Sequence, residues 1–348
     1  MTWKLFYNLK CFNSLSSSTK IGKVLITGVA GFIGFHVAKR LLASGLEVFG
    51  IDSMNGYYST QIKQDRLELL KRFANFSFSS INICQRNDLE SLFAANPFDL
   101  VIHLAAQAGV RYSLDAPHKY AESNLMGFVN VIEACRQQGV TRFLFASSSS
   151  VYGNQEGGVF SEDGFTDAPE SLYAATKKAN ELIAHSYSKQ FGMQTIGLRF
   201  FSVYGPWGRP DMAYFSFTKK ILKGETIPVF NKGEMVRDFT YIDDIVAGVH
   251  QLIDRLDHLS SYRIYNLGNN HPVKIMDFIR ALEAAIGQKA KIEYLPMQAG
   301  DVIFTCAAIS AAQRDFGYNP KCSIETGLKY FVTWYLKYFK TEILLPNI

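Results

Sequence analysis

No apolar run in the 348 residues approaches the roughly 20 needed to cross a bilayer, so an integral membrane segment is excluded. Cysteine is scarce: there are five, an odd number without a Cys-x-x-Cys spacing. That argues against a disulfide framework and for reduced thiols in a cytoplasmic protein. The seven histidines lack the spacing of metal ligands, and no metal is expected. The formal charge is +5, but Lys and Arg are scattered rather than run together. Such an excess leaves no footprint for nucleic acid and favours small anions only weakly. Internal repeats and low-complexity blocks are missing too. What is present is 48% hydrophobic residues, enough for one large or two smaller α/β units. Residues 1–20 carry Trp3, Leu5, Phe6 and Tyr7 and then a serine-rich stretch. Their apolar part is too short and interrupted for a signal peptide, and they read as a disordered or loosely docked extension, with a peripheral membrane contact as the second reading.

Strand and helix patterns alternate along the rest. Strands are expected at 23–27, 47–52, 75–81, 98–103 and 142–147, and helices at 32–43, 65–73 and 120–137. Apolar strands separated by helices imply a parallel sheet covered on both faces, because parallel neighbours need a crossover. The expected fold is α/β, a doubly wound parallel sheet of Rossmann type with a smaller α/β lobe. The expected boundaries are 21–198 for the sheet domain, with 236–266 returning to it, and 199–348 mainly for the lobe.

Between the first strand and first helix lies Thr27-Gly28-Val29-Ala30-Gly31-Phe32-Ile33-Gly34. Gly28 permits a tight turn, Gly31 removes a side chain from the path of a pyrophosphate, and Gly34 lets helix and strand approach. The unpaired amides of the helix N-terminus face the phosphates. Asp52 ends the second strand, where a carboxylate can accept both adenosine-ribose hydroxyls and repel a 2′-phosphate, favouring NAD over NADP.

The second constellation is Ser148, Tyr173 and Lys177. Tyr173 and Lys177 stand four apart at the start of a helix and share a face. The ammonium can hold a cofactor ribose while its charge, with that of the nicotinamide, lowers the phenol's pKa towards neutrality. Among 18 tyrosines this is the only Tyr-x-x-x-Lys, and Ser148 ends a strand from which it can donate to the same sugar oxygen.

At these residues the chain resembles the extended short-chain dehydrogenase/reductase superfamily, and within it the UDP-glucuronate 4-epimerases. The likeness runs from Lys23 to Thr333 and is carried by TGVAGFIGFHVAKRLL, HLAAQAGVRYSL, ASSSSVYG, SLYAATKKANELIAHSYS, LRFFSVYGPWGRPDMA and VRDFTYIDDI. The resemblance implies tightly held NAD recycled in each turnover, with UDP-glucuronate and UDP-galacturonate interconverted at C4. It makes Tyr173 the base, Lys177 its partner and Ser148 the third catalytic residue. Phe32, Ile33, Asn82 and Ile83 join the glycines and Asp52 as cofactor contacts. Arg237 is implied for the diphosphate, Asp301 for the uridine ribose, and Asn124 for the active site. Ser149, Ser150, Ser202 and Arg209 are implied for the sugar carboxylate, with Arg111 a weaker candidate. The helices that begin near Tyr120 and Tyr173 resemble those of a four-helix homodimer interface.

Some positions depart from the family. Asn82 replaces an adenine-binding aspartate and Ser202 a threonine, while Ile303 and Ala308 replace a proline and an aspartate. Related dehydratases carry acidic residues after the catalytic hydroxyl, and the UDP-glucuronate decarboxylases a glutamate; Ser149 and Ser150 stand here instead. A catalytically silent NAD-binding sensor or assembly subunit is the non-enzymatic alternative. It would not need an activated phenol. His103 reads as a packed histidine, and the aromatic run Tyr330, Phe331, Trp334, Tyr335 and Tyr338 as a packed helix.

Overall fold

Strands whose two faces are both apolar need cover on both sides, and the computed structural model, which describes residues 21–155, 158–298 and 300–339, provides it. The expected extension at 1–20 lies outside the described residues. In chain order the first half holds β1 (Lys23–Thr27), α1 (Phe32–Ala43), β2 (Glu47–Asp52), α2 (Thr60–Leu70), β3 (Phe76–Ser80), α3 (Arg86–Ala95) and β4 (Leu100–His103). Next come the one-turn helices α4 (Tyr112–Asp115) and α5 (Pro117–Tyr120), a π-helical turn (Ala121–Met126), α6 (Gly127–Gln137), β5 (Arg142–Ser148), α7 (Leu172–Phe191) and β6 (Gln194–Phe200). The second half holds β7 (Ser202–Tyr204), α8 (Ala213–Leu222), β8 (Thr226–Phe230), β9 (Val236–Tyr241), α9 (Ile242–Ile253), β10 (Tyr262–Leu267), β11 (Pro272–Lys274), α10 (Ile275–Ile286), β12 (Lys291–Leu295), α11 (Ser310–Phe316) and α12 (Ile324–Phe339).

Seven parallel strands form the main sheet in the order β10-β6-β5-β4-β1-β2-β3. Order reverses between β1 and β4, which opens a crevice at their carboxyl ends. Alternate strand residues enter opposite cores: Val24, Ile26, Leu100 and Ile102 on one face, Leu25, Val101, Phe143 and Phe145 on the other. Helix α1 covers the first face with Phe35, Ala38 and Leu42, and α6 covers the second with Phe128, Val131 and Ile132. The fold is therefore the doubly wound α/β sheet read from the alternation. Two small sheets, β11-β9-β7 and β12-β8, build the lobe beside it. Of residues 236–266, β10 joins the main sheet and α9 packs on α1, whereas β9 belongs to the lobe.

Helix α2 starts at Thr60 rather than 65, and the reason is chemical. Its buried positions are Ile62, Lys63, Arg66, Leu67 and Leu70, so two cations occupy the inward face and break the apolar periodicity. Helix α3 escaped the sequence reading, and the single helix expected over 120–137 is broken by the π turn, a feature common at functional sites.

Candidate active site

The crevice at the β1–β4 switch is lined by Gly28, Gly31, Phe32, Ile33, Gly34, Asp52, Asn82 and Ile83. Gly28 has φ +72, and a Cβ there would lie 2.8 Å from the Ala105 amide nitrogen. A Cβ on Gly34 would come within 2.2 Å of the Gly28 carbonyl oxygen. The loop is thus closed to side chains, and it delivers the α1 N-terminus, with no acidic residue in its first turn, to the crevice. Asp52 accepts from the amides of Ala30 (3.2 Å) and Met54 (2.8 Å), with the Lys63 ammonium 3.7 Å away. A carboxylate has acceptor positions beyond those two, so ribose hydroxyls fit. Asn82 Oδ1 accepts from the Cys84 amide, which fixes the turn after β3. This cradle fits a dinucleotide.

Ser148 ends β5 and caps the 3₁₀ turn that follows. Its Oγ accepts from the Ser150 amide (3.2 Å) and the Ser150 hydroxyl (2.9 Å), which leaves its own O–H to donate outward. Ser171 caps α7 by accepting from the Ala174 amide, and this sets Tyr173 and Lys177 on the first turns. The Lys177 ammonium donates to the Ala146 carbonyl (2.9 Å) and lies 5.9 Å from the Tyr173 ring centre. Burial raises the Tyr173 phenol above its ordinary value, against the opposing pull of the Arg209 charge and the Ser148 hydroxyl. Burial also brings Lys177 down to about 8.

Lys177 should therefore destabilise the ligand-free fold. Between about 8 and its ordinary 10.5 the unfolded chain holds a proton that the folded one has released, so stability rises across that window. Below it the buried charge opposes folding, by at most about 3 kcal/mol at 1.4 kcal/mol per pH unit. Lys177→Met is expected to melt higher than the parent at pH 7 without ligand, and the gap should narrow by pH 10. Equal melting temperatures at both pH values would contradict this.

A second cleft adjoins the first and is lined by Tyr57, Ser202, Arg209, Phe230, Arg237 and Asp301 among others. Arg209 and Tyr57 border both clefts. Arg209 is held by Asp211 through Nε (3.1 Å) and Nη2 (2.5 Å), and the Tyr57 hydroxyl donates to the same carboxylate (3.3 Å). Arg111 stacks over Phe230 and pairs with Asp301 at 2.9 Å, so these two candidates meet each other across the cleft. Arg237 donates to the carbonyls of Val236 and Ile303 from the floor of the lobe.

Six candidates are not among the wall residues of either cleft: Ser148, Tyr173 and Lys177, described above, and Asn124, Ser149 and Ser150. Asn124, on the π turn, is buried and lines neither cleft. Its amide bonds Gln107 N, Gln107 O and Thr176 Oγ1, tying the loop after β4 to the helix that carries Tyr173. Ser149 and Ser150 sit in the 3₁₀ turn behind Ser148 and line neither cleft. Tyr57 and Asp211 went unread because their partners are distant in sequence or lack a motif; the Arg-Pro-Asp run was the one available signal. His103 is packed and satisfied, at 2.9 Å from Thr27 Oγ1 and stacked on Phe143. The aromatic helix α12 buries Phe331 and Tyr335 while leaving Tyr330 exposed.

Known proteins resemble the chain in sequence and fold. UDP-glucuronate 4-epimerase 2 of Arabidopsis thaliana is 48% identical over 332 residues, 91% of this chain and 76% of its own length. UDP-glucuronic acid 4-epimerase of Bacillus cereus, solved with UDP-glucuronic acid and NAD, matches with a TM-score of 0.85 at 34% identity, over 91% of this chain and 99% of that one. UDP-glucose 4-epimerase of Thermotoga maritima, solved with UDP-glucose, gives 0.83 at 28% identity over 91% and 99%. The NAD dependent epimerase/dehydratase family matches residues 24–268, more than half the sequence, and the chain belongs to that family.

Proposed function

We propose that the protein is an NAD-dependent enzyme that inverts C4 of UDP-glucuronate to give UDP-galacturonate, reversibly and through a 4-keto sugar. The observation that carries the substrate is Arg209, a cation bordering both clefts and close enough to oppose the rise of the Tyr173 pKa. A sugar presenting C4 to that phenol can place its C5 carboxylate against this guanidinium.

The first cleft holds the dinucleotide: the glycine loop and α1 N-terminus take the pyrophosphate, Asp52 the adenosine ribose, and Asn82 and Ile83 the adenine side. When bound, NAD supplies the hydride acceptor that then becomes the donor. Tyr173 takes the proton of the C4 hydroxyl and returns it, Ser148 donates to the same oxygen, and Lys177 stabilises the phenolate. Arg237 takes the diphosphate, and Asp301 with Arg111 borders the uridine end. Ser202 and Arg209 take the carboxylate, with Ser149 and Ser150 acting through the Ser148 turn and Asn124 holding the loop beneath. On this reading 21–198, with α9 and β10, form the NAD-binding domain and most of 199–348 the UDP-sugar lobe.

The test is incubation of purified protein with UDP-glucuronate alone and separation of UDP-galacturonate, UDP-xylose and UDP-galactose. UDP-galacturonate without added reductant is expected; no conversion would sink the reading. Denatured protein should release NAD rather than NADP, and Gly34→Ala should release neither, because its Cβ meets the Gly28 carbonyl. Retained NAD in that variant would refute the cradle.

The same reading makes the chain a homodimer through the helices that begin near Tyr120 and Tyr173, the π turn with α6 and α7, where Met126 and Leu182 are each 59% exposed. Sedimentation at twice 39.1 kDa would support it, and a monomer would not. A cytoplasmic location is supported by Cys84, Cys135, Cys306 and Cys322, all free thiols. No helix among the described residues is long and apolar enough to cross a membrane.

A further inference from the structure

We propose that Arg66 is a positioning residue that couples the dinucleotide loop to the loop carrying Arg209, and so sets the grip on the substrate carboxylate. The inference rests on the epimerase reading above. Arg66 projects inward from α2 and is fully buried. Its Nη1 donates to the Ala30 carbonyl in the glycine loop (2.7 Å) and to the Tyr58 hydroxyl (2.9 Å). Its Nη2 donates to the carbonyls of Trp207 (2.6 Å) and Gly208 (3.1 Å). One planar fork therefore joins residues 30, 58 and 207–208, and Arg209 is the next residue along.

Three features say that this is more than a rivet. First, all four acceptors are neutral, and Nε has no acceptor among the described residues. Burying a cation on neutral partners opposes folding, and apolar packing usually does as well for stability alone. Second, the held loop is strained: Trp207 has φ +59, a conformation that a bulky residue keeps only where its surroundings over-determine it. They do so here. His36 on α1 holds the preceding carbonyl, Pro206 O, at 2.9 Å, so three successive carbonyls are gripped from the two helices that flank β2. Burial lowers His36 to about 3, which leaves a neutral ring donating from Nε2. The Trp207 ring is packed between Phe35 and the α12 residues Trp334 and Tyr338. Third, the Arg66 guanidinium bonds Ala30, inside the glycine loop, and Gly208, the neighbour of Arg209, and these are the two places assigned to the charges of the proposed ligands.

The fork geometry is what a lysine cannot supply, since an ammonium is a point donor without a plane. Arg66→Lys keeps the charge and loses the double grip. In holoenzyme, calorimetry should show UDP-glucuronate binding weakened at least tenfold, with UDP-glucose binding changed less than threefold. The fraction of decarboxylated product should rise. In an Arg209→Ala background the same substitution should add little to the loss for UDP-glucuronate. Tyr58→Phe removes a single acceptor and should shift UDP-glucuronate affinity in the same direction by a few fold; it carries the test if Arg66→Lys does not fold. The proposal is overturned by folded variants whose melting temperature falls while UDP-glucuronate affinity and product ratio stay at parent values. It is equally overturned by a full additional loss in the Arg209→Ala background. Affinities are read in a Tyr173→Phe background, where turnover is minimal, so failure of the epimerase reading, seen as absent UDP-galacturonate from the parent, is distinguishable from failure of the coupling.

Discussion

Tyr173→Phe is expected to lower UDP-glucuronate turnover by about 10² to 10⁴, the usual range for removing a general base, while Kd for the nucleotide sugar changes less than about threefold. The phenylalanine keeps the ring that stands edge-on to Tyr120 at 6.1 Å, so the fold is spared. What disappears is the one oxygen that can both accept and return the C4 proton. Binding is expected to be preserved because the cleft proposed for the UDP end, lined by Phe230, Arg237 and Asp301, does not include Tyr173. The expected pattern is a fall in kcat with KM nearly constant, which marks an interaction made in the transition state alone. Steady-state kinetics with titration calorimetry checks it. Turnover within tenfold of the parent would remove Tyr173 from the mechanism and with it the role given to Lys177.

Arg209→Ala is expected to weaken UDP-glucuronate binding by about 10- to 150-fold, the equivalent of one charge-assisted contact worth about 1.5–3 kcal/mol. It should also release UDP-4-keto-pentose. Once C4 is a ketone, the C5 carboxylate belongs to a β-keto acid, which loses carbon dioxide when the C5–C6 bond aligns with the carbonyl π system. A guanidinium that fixes the carboxylate out of that alignment suppresses the loss. Each 1.4 kcal/mol of that restraint shifts partitioning between the two products about tenfold. The structure adds a second reason for a large effect. Asp211, now paired with Arg209 through both oxygens, would be left as an unbalanced anion beside the incoming carboxylate. UDP-glucose binding is the control, since it has no carboxylate to lose. Mass spectrometry showing UDP-galacturonate alone, with parent-like affinity, would take the carboxylate contact away from Arg209.

Much of the site could be read from residues within a few positions of one another. The glycine loop is a strand–turn–helix in eight residues, and its steric logic reappears in the 2.2 Å approach of a Gly34 Cβ to the Gly28 carbonyl. Tyr173 and Lys177 share a face because four residues are about one helical turn. Asp52 was legible as the end of a strand, yet its amide contacts to Ala30 and Met54 were not. Asn124 was legible as an asparagine near the site, whereas its use to pin Gln107 to Thr176 depends on a π turn without a sequence signature. Arg66 and Lys63 misled the pattern outright. Charged residues on the inner face of α2 look like a solvated stretch until the loops they grip are in place.

By itself the sequence determined the parallel α/β alternation, the dinucleotide loop and the spacing of the phenol and the ammonium. Each is set by local geometry, the period of a strand or a helix and the absence of a side chain in a turn. Only the tertiary structure decided that Arg209 stands near Tyr173, that Tyr57 donates to the carboxylate holding Arg209, and that Arg66 clasps the strained carbonyl of Trp207. Those contacts join residues up to 154 positions apart. No local periodicity encodes them. They form because burying both faces of the sheet closes the helices and the lobe over its carboxyl edge, and the polar groups brought together there must find partners in one another.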